Sequence, residues 1–136
     1  MEGEKETVEI INYNQNFESS VIQLWNKVLI ADLISTLKFR KQILFDDNFN
    51  SDLCFIAVEE EKVVGFILGT KRKFPYLERG LEPTRGWINV VFVDNAYQRR
   101  GIGKRLVKVV EEELKRLGAE TVKLASYSPN YIFPGV

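Results

Sequence analysis

The apolar positions near the start of the chain first follow the period of a strand and then that of a helix. Residues 8–13 are rich in β-branched and aromatic side chains and roughly alternate, which predicts a short strand. A turn at residues 14–16 follows, and Asn16 is a candidate helix cap. The next apolar residues recur at three- and four-residue steps, which predicts an amphipathic helix. Its stripe consists of Val21, Leu24, Trp25, Val28 and Leu29.

A second, weaker helical pattern runs from Ser35 to about Phe45. It places Leu37, Lys41 and Leu44 on one side, and its opposite side is mixed and basic. Residues 46–52 are too polar and too rich in turn-forming residues to continue this helix, so they are predicted to form a loop.

Two apolar runs in the centre of the chain predict a β-hairpin. Residues 53–59 form the first run, residues 60–62 the turn, and residues 63–69 the return strand. Because glycine weakens a strand interior, Gly65 predicts a β-bulge or a crossing aromatic side chain. The connection over residues 71–86 contains prolines, glycines and arginines. A connection of this length can be functional, or it can be a solvated surface excursion.

The clearest pattern is a strand, a glycine-containing turn and a helix in direct succession. Residues 87–93 are almost continuously apolar, which predicts a central strand buried on both faces, with Asn89 as its one polar residue. A polar turn follows, and a helix with a continuous apolar ridge then runs to its predicted end at Gly118. Residues 121–125 predict a last short strand.

The turn between this strand and this helix has the chemistry of a phosphate site. The first turn of a helix has backbone N–H groups without intrahelical acceptors, and the helix dipole adds partial positive charge there. Glycine at positions 101 and 103 would allow a diphosphate to approach the main chain. Cationic side chains surround the same point: Arg99, Arg100, Lys104 and Arg105.

The spacing of Gln98, Gly101 and Gly103 resembles the acetyl-CoA signature of the GCN5-related N-acetyltransferases (GNAT). That family's pattern is Arg or Gln, two residues, Gly, one residue, then Gly or Ala. The resemblance implies an α/β fold in which helices flank a mixed, mostly antiparallel sheet. It also implies transfer of an acetyl group from acetyl-CoA to a primary amine of a small molecule or peptide.

The resemblance further assigns coenzyme-binding roles to particular residues. Main-chain N–H groups of the turn would hold the diphosphate, and the edge of the preceding strand would bind the pantetheine arm. The expected cofactor-binding residues are Val91, Phe92, Val93, Gln98, Arg99, Arg100, Gly101, Ile102, Gly103 and Lys104. Three effects would accelerate the transfer: positioning of the thioester beside the amine, stabilisation of the oxyanion, and a base that keeps the amine neutral.

No catalytic residue can be assigned from the sequence. Relatives often carry a carboxylate base on the strand that contains Asn89, whereas an amide here could position a water, bind substrate or simply be hydrogen-bonded in the core. Relatives often use a tyrosine to protonate the leaving thiolate, and Tyr127 and Tyr131 lie in that neighbourhood, with aromatic packing as the alternative. The acceptor amine is not identified.

Two other classes of function compete with acetyl transfer. A non-catalytic acyl-CoA-binding or regulatory domain of a two-domain protein would keep the phosphate site and lack the acid and base. A Rossmann-type nucleotide domain would need Gly-x-Gly-x-x-Gly after the first strand and an acidic residue about twenty positions later. Neither feature is present, so this interpretation ranks last.

The composition of the chain limits its domain number, its binding partners and its expected location. The 136 residues suit one domain over residues 1–136, and 19 basic residues balance 19 acidic ones, so no nucleic-acid or membrane surface is indicated. With no histidine and one cysteine, a disulfide within the chain is excluded and a metal site is not expected. Residues 1–6 are charged and unlike a signal peptide, so we expect a cytoplasmic protein.

The end of the chain differs from the resembled family. After residue 126 comes an apolar, proline-containing segment where relatives continue with another helix and two strands. Uncovered sheet surface is unfavourable for a finished domain. We therefore expect a fragment of a longer protein, or one half whose sheet a second domain or another copy of the chain completes.

Overall fold

The computed structural model describes residues 7–125, which form one five-stranded sheet with helices on both faces. The strands are β1 (Glu9–Asn12), β2 (Cys54–Glu59), β3 (Lys62–Thr70), β4 (Arg85–Val93) and β5 (Thr121–Leu124). The helices are α1 (Glu18–Val28), α2 (Thr36–Phe39) and α3 (Ile102–Arg116).

The strands lie in chain order across the sheet, and all neighbours are antiparallel except β4 and β5, which are parallel. This arrangement confirms the predicted mixed, mostly antiparallel sheet. The predicted hairpin is also confirmed, because β2 and β3 pair directly across a two-residue turn. β4 lies between β3 and β5 and is therefore an interior strand, as its continuous apolarity predicted.

The alternation of side chains along the strands creates two hydrophobic cores on opposite faces of the sheet. The core under α1 is aromatic, and its largest fully buried side chains include Trp25, Phe39 and Phe66. The core under α3 is aliphatic, and the helix contributes Ile102, Leu106, Val110 and Leu114, each at most 1% exposed. The ridge predicted for this helix is therefore the surface that it buries.

Three glycines in the sheet allow α3 to pack closely against it. A Cβ at Gly65 would lie 3.1 Å from Leu106 Cδ1, and one at Gly69 would lie 2.6 Å from Val110 Cγ1. A Cβ at Gly86 would lie 2.9 Å from Leu114 Cδ2. The bulge predicted beside Gly65 is confirmed by a register shift at Ala57/Val58. The side chain described against Gly65 is a leucine, so the aromatic alternative was wrong.

The region between α1 and β2 departs from two predictions. Ser35 caps α2, because its Oγ accepts the N–H of Lys38, but the helix changes to a π-helical turn over Arg40–Leu44. It buries Phe39 and Ile43, whereas Leu37 is 68% exposed. The predicted stripe was therefore wrong for Leu37, whereas Leu44 is half-buried against the aromatic core. A face without a lysine buries more apolar surface.

The predicted cap at Asn16 was also wrong. Asn14 accepts the N–H of Asn16 through its side chain and begins a short 3₁₀ turn that leads into α1. Asn14 lies two residues earlier and caps the start of the helical segment instead. In an Asx turn, the side-chain oxygen of an asparagine accepts the N–H of the second residue after that asparagine.

Buried polar contacts anchor the long connection before β4. Arg72 donates from Nε to Glu82 Oε1 at 2.7 Å, and its guanidinium carbon lies 5.4 Å and 5.2 Å from the ring centroids of Tyr76 and Trp87. Asn48 Oδ1 accepts the N–H of Lys73 at 2.6 Å. The base of the connection is therefore fixed to the domain.

Candidate functional site

A cavity of about 520 Å³ lies between the end of β4 and the start of α3. It brings together every predicted site residue except Arg100, and it adds Tyr97. Its lining is formed by Val91, Phe92, Val93, Tyr97, Gln98, Arg99, Gly101, Ile102, Gly103 and Lys104.

Asp94 fixes the chain where β4 ends and the turn begins. Its N–H donates to Val64 O at 2.8 Å, and its carboxylate accepts the Ala96 N–H at 2.9 Å and the Lys27 ammonium at 3.2 Å. Burial opposes ionisation, yet the Ala96 N–H and Lys27 lower the pKa of Asp94 below its usual value. The sequence patterns did not single out this residue, although an aspartate directly after a buried strand is a recognisable turn signal.

The turn presents main-chain N–H groups to the cavity. Arg99 and Gly101 both have left-handed backbone, with φ of +68° and +79°. Within the described chain, the first hydrogen bond of α3 runs from Arg105 N–H to Gly101 O at 3.0 Å. The N–H groups of residues 102–104 precede that bond and have no acceptor inside the helix. This arrangement suits an anionic group.

The two glycines keep the surface above these N–H groups open. A Cβ at Gly101 would have no atom within 4 Å, and one at Gly103 would meet only Val93 Cγ2, at 3.8 Å. A side chain at either position would therefore occupy the groove. The residues fit a bulky diphosphate, because its oxygens could reach the main chain.

The edge of β4 forms the wall opposite the helix. Asp94 N–H points toward β3, so strand alternation directs the main-chain groups of Val91 and Val93 away from β3. Gln98 donates from Nε2 to Val93 O at 3.3 Å and to Asn95 Oδ1 at 3.0 Å, which joins the turn to the strand. The described pairing of β5 ends at Ile88, so the last part of β4 lies beyond it.

A second cavity, of about 490 Å³, continues the groove along α3. It shares Val91, Gly103 and Lys104 with the first and adds Val107, Lys108 and Glu111. The combined groove is long enough to hold more than a phosphate group, and its side toward α3 includes the aliphatic Val107.

The cations of the turn have different positions. Arg99 and Lys104 line the main cavity. The guanidinium carbon of Arg100 instead lies 4.8 Å from the centroid of the Tyr97 ring. The structure therefore places Arg100 on an aromatic face at the rim, outside the set of side chains that line the cavity.

Asn89 directly follows Ile88, the last residue of β4 whose pairing with β5 is described. A register shift between Leu68 and Gly69 leaves it as the extra residue of a β-bulge. Its Oδ1 accepts from Thr70 Oγ1 at 2.5 Å, and its Nδ2 donates to Ala125 O at 3.1 Å. Both ends of the amide are thus hydrogen-bonded within the protein, as the core interpretation of this residue predicted.

Tyr127 and Tyr131 lie outside the described residues. Among residues 7–125, no group of three or more His, Cys, Asp and Glu side chains is arranged to bind a metal. None of the helices in this part of the chain has the length and apolarity needed to cross a membrane.

The sheet and its flanking helices have the fold of the acyl-CoA N-acyltransferases, and the sequence comparison agrees. The profile of the Acetyltransferase (GNAT) family matches residues 21–132. The chain therefore belongs to the GNAT acetyltransferase family.

Individual relatives are more distant. N-alpha-acetyltransferase 30 from Dictyostelium discoideum is 29% identical over 79 residues, which cover 58% of this chain. The matched segment covers 40% of the length of that curated relative.

Solved structures share the fold at low identity. A GCN5-related glucosamine N-acetyltransferase region of a fungal multi-domain GH3 β-N-acetylglucosaminidase superposes with a TM-score of 0.77 at 22% identity, over 97% of this chain and 15% of that one. The aminoglycoside N-acetyltransferase AAC(6′)-Iy, solved in complex with CoA, gives a TM-score of 0.63 at 18% identity, over 90% and 78% of the two chains.

Proposed function

We propose that this protein transfers an acetyl group from acetyl-CoA to a primary amine. The observation that carries the proposal is the groove between β4 and α3, where the N–H groups of residues 102–104 have no acceptor within the helix and Gly101 and Gly103 leave open space. A coenzyme diphosphate would bind there, with Arg99 and Lys104 as its counter-charges.

The pantetheine arm would extend along the edge of β4. The main-chain groups of Val91 would hydrogen-bond its amides, and the cavity beside Val107 would hold its apolar part. This placement brings the thioester toward Asn89, which follows the last described pair between β4 and β5. The attacking amine bonds to the acetyl carbonyl carbon and the carbon–sulfur bond breaks. The proton lost by the amine passes through water to the departing thiolate, so the products are the acetylated amine and CoA with a free thiol.

The acceptor that we propose is an α-amine. Asn89 is an amide rather than a carboxylate, and both of its ends are already bonded, so it is poorly suited to deprotonate an ammonium. An α-amine has a pKa of about 8 and a lysine amine one of about 10.4, so the neutral fraction of the α-amine at pH 7 is about two orders of magnitude larger. The name of the Dictyostelium discoideum relative points to the same acceptor class.

Thiol release in the presence of paired peptides tests this proposal. One peptide has a free α-amine and no lysine, and its partner has a blocked α-amine and one lysine. We expect free thiol and acetylated product with the first peptide and far less with the second. The single cysteine of the protein, Cys54, is fully buried and will contribute little background. Equal rates with both peptides would contradict the α-amine assignment.

A non-catalytic acyl-CoA-binding domain is the second candidate. The occupied amide of Asn89 favours it, because the strand then offers no base. Tight binding of CoA without thiol release on any amine would support this second function. Absence of CoA binding to the wild-type protein would contradict both.

A further inference from the structure

One side chain connects the turn of the groove to the β2–β3 hairpin. The Tyr97 hydroxyl donates to Glu59 Oε1 at 2.6 Å, and Glu59 is the last residue of β2. The same tyrosine lines the main cavity. Tyr97 therefore lines the groove while its hydroxyl is bonded to the neighbouring hairpin.

Two cations flank the Tyr97 ring and extend this connection. Lys62 Nζ, from the first residue of β3, lies 5.4 Å from the ring centroid, and Arg100 Cζ, from the turn, lies 4.8 Å from it. Both distances are within the range of cation–π attraction. The ring thus holds together a residue of the hairpin and a residue of the turn.

The charges in this cluster favour the same hydrogen bond. Hydrogen bonds from Thr7 and Tyr97, and the nearby charges of Arg100 and Lys62, lower the pKa of Glu59. The bond to the Glu59 carboxylate raises the pKa of Tyr97. A protonated phenol and an ionised carboxylate therefore coexist at neutral pH, and the hydroxyl always has an acceptor.

We infer that Tyr97 is a positioning residue for the coenzyme, acting through the turn. Arg99 has a left-handed backbone, which is unfavourable for a residue with a Cβ and persists only with outside support. The Tyr97–Glu59 contact fixes the turn two residues before Arg99. Support from the hairpin keeps the N–H groups directed into the groove before the ligand arrives. This inference rests on the proposed binding of CoA.

Tyr97→Phe removes the hydroxyl and keeps the ring with its stacked cations. We expect the Kd for CoA to rise about five- to tenfold, which is less than the full effect of a hydrogen bond to a charged group because Tyr97 acts on the ligand only through the turn. The KM for acetyl-CoA rises in parallel, while kcat at saturating acetyl-CoA and the KM for the amine stay unchanged. Glu59→Ala gives the same result, and Glu59→Gln, which keeps an acceptor oxygen, binds CoA nearly as well as the wild type.

A double variant and a matched control separate positioning from general stability. Tyr97→Phe combined with Glu59→Ala is expected to bind CoA no more weakly than either single variant, because both remove one contact. Tyr76→Phe loses a phenol hydroxyl in the β3–β4 connection and should leave CoA binding unchanged. Urea unfolding of each variant reports any loss of stability.

The outcomes are distinguishable. If the wild type binds CoA and Tyr97→Phe binds it equally well, the positioning role is wrong and the proposed function stands. Additive losses in the double variant, or a fall in kcat at saturation, also overturn the positioning role. If the wild type does not bind CoA, the proposed function and the positioning role both fail.

Discussion

Gly103 faces Val93 across the groove, and a Cβ at Gly103 would lie 3.8 Å from Val93 Cγ2. The distance is an ordinary van der Waals contact, so the protein itself can accommodate a side chain there. The groove cannot accommodate one without losing ligand volume. A substitution at position 103 can therefore leave the fold intact while it weakens ligand binding.

The first prediction concerns substitutions that fill the groove at this position. Because Gly103 lies in the first turn of α3 and has no positive φ, Gly103→Ala should stabilise the protein by about 0.5–1 kcal/mol. Gly103→Leu should fold but bind CoA about tenfold more weakly or worse, because its side chain occupies the diphosphate site. Urea unfolding and calorimetric titration with CoA measure the two effects.

Gly101 provides the contrast. Its φ of +79° disfavours any residue with a Cβ, so Gly101→Ala should lower both stability and CoA affinity. Unchanged CoA affinity in Gly103→Leu would show that the diphosphate does not bind between β4 and α3.

The second prediction concerns the contact between the sheet and α3. A Cβ at Gly69 would lie 2.6 Å from Val110 Cγ1, a distance that forces one of the two to move. Gly69→Ala should therefore lower the free energy of unfolding by about 1–3 kcal/mol, as for overpacking. Adding Val110→Ala removes the obstructing methyl groups, so the double variant should be more stable than the sum of the single effects predicts. If the losses in the free energy of unfolding of the two single variants, measured in urea, simply add in the double variant, the proposed contact between positions 69 and 110 is contradicted.

The parts of the fold that the sequence predicted are those encoded locally. β4, the turn and α3 follow one another directly in the chain. The apolar run of the strand, the spacing of the glycines and the apolar ridge of the helix can each be recognised within a short stretch of sequence. All predicted groove residues except Arg100 therefore line one cavity. The ridge of α3 was also predictable, because a four-residue repeat needs no knowledge of its partner.

The remaining features depend on residues far apart in the sequence. Tyr97 meets Glu59 across 38 positions, and Lys27 meets Asp94 across 67. No local pattern identifies such partners. Arg100 was assigned by its main-chain N–H group and by its charge, and the structure places its guanidinium on the Tyr97 ring. The packing of Gly69 against Val110 requires the register of β3 under α3, which periodicity does not supply.

The third prediction concerns the bulged residue of β4. Asn89→Ala leaves the Ala125 carbonyl and the Thr70 hydroxyl without this partner and should cost about 1–3 kcal/mol of stability. Asn89→Asp replaces the donor to Ala125 O with a carboxylate oxygen. Its folded pKa should therefore be raised, so the variant loses stability as the pH rises through that pKa. Urea unfolding at pH 4 and pH 8, each relative to wild type, measures this, and an equal loss at both would contradict it.

The last prediction concerns acid sensitivity at the start of α1. Glu18 is largely buried and accepts two hydrogen bonds from Arg40, at 2.7 Å and 2.9 Å. The hydrogen bonds from Arg40 lower the pKa of Glu18 although burial opposes this. Because the folded pKa lies below the unfolded one, the contribution of the pair is complete above the unfolded pKa and disappears as the pH falls through the folded pKa.

Glu18→Gln should therefore have a lower urea midpoint than the wild type at pH 7, and the difference should close as the pH falls below about 4. Glu113→Gln is the matched control, because the Glu113 side chain is more exposed than that of Glu18, at 23% against 11%, and its partner Arg116 lies only three residues away on the surface of α3. Exposed pairs contribute little, so the control should have a nearly unchanged midpoint at pH 7. A midpoint difference for Glu18→Gln that persists undiminished into acid would show that this side chain stabilises α1 through packing and not through its charge.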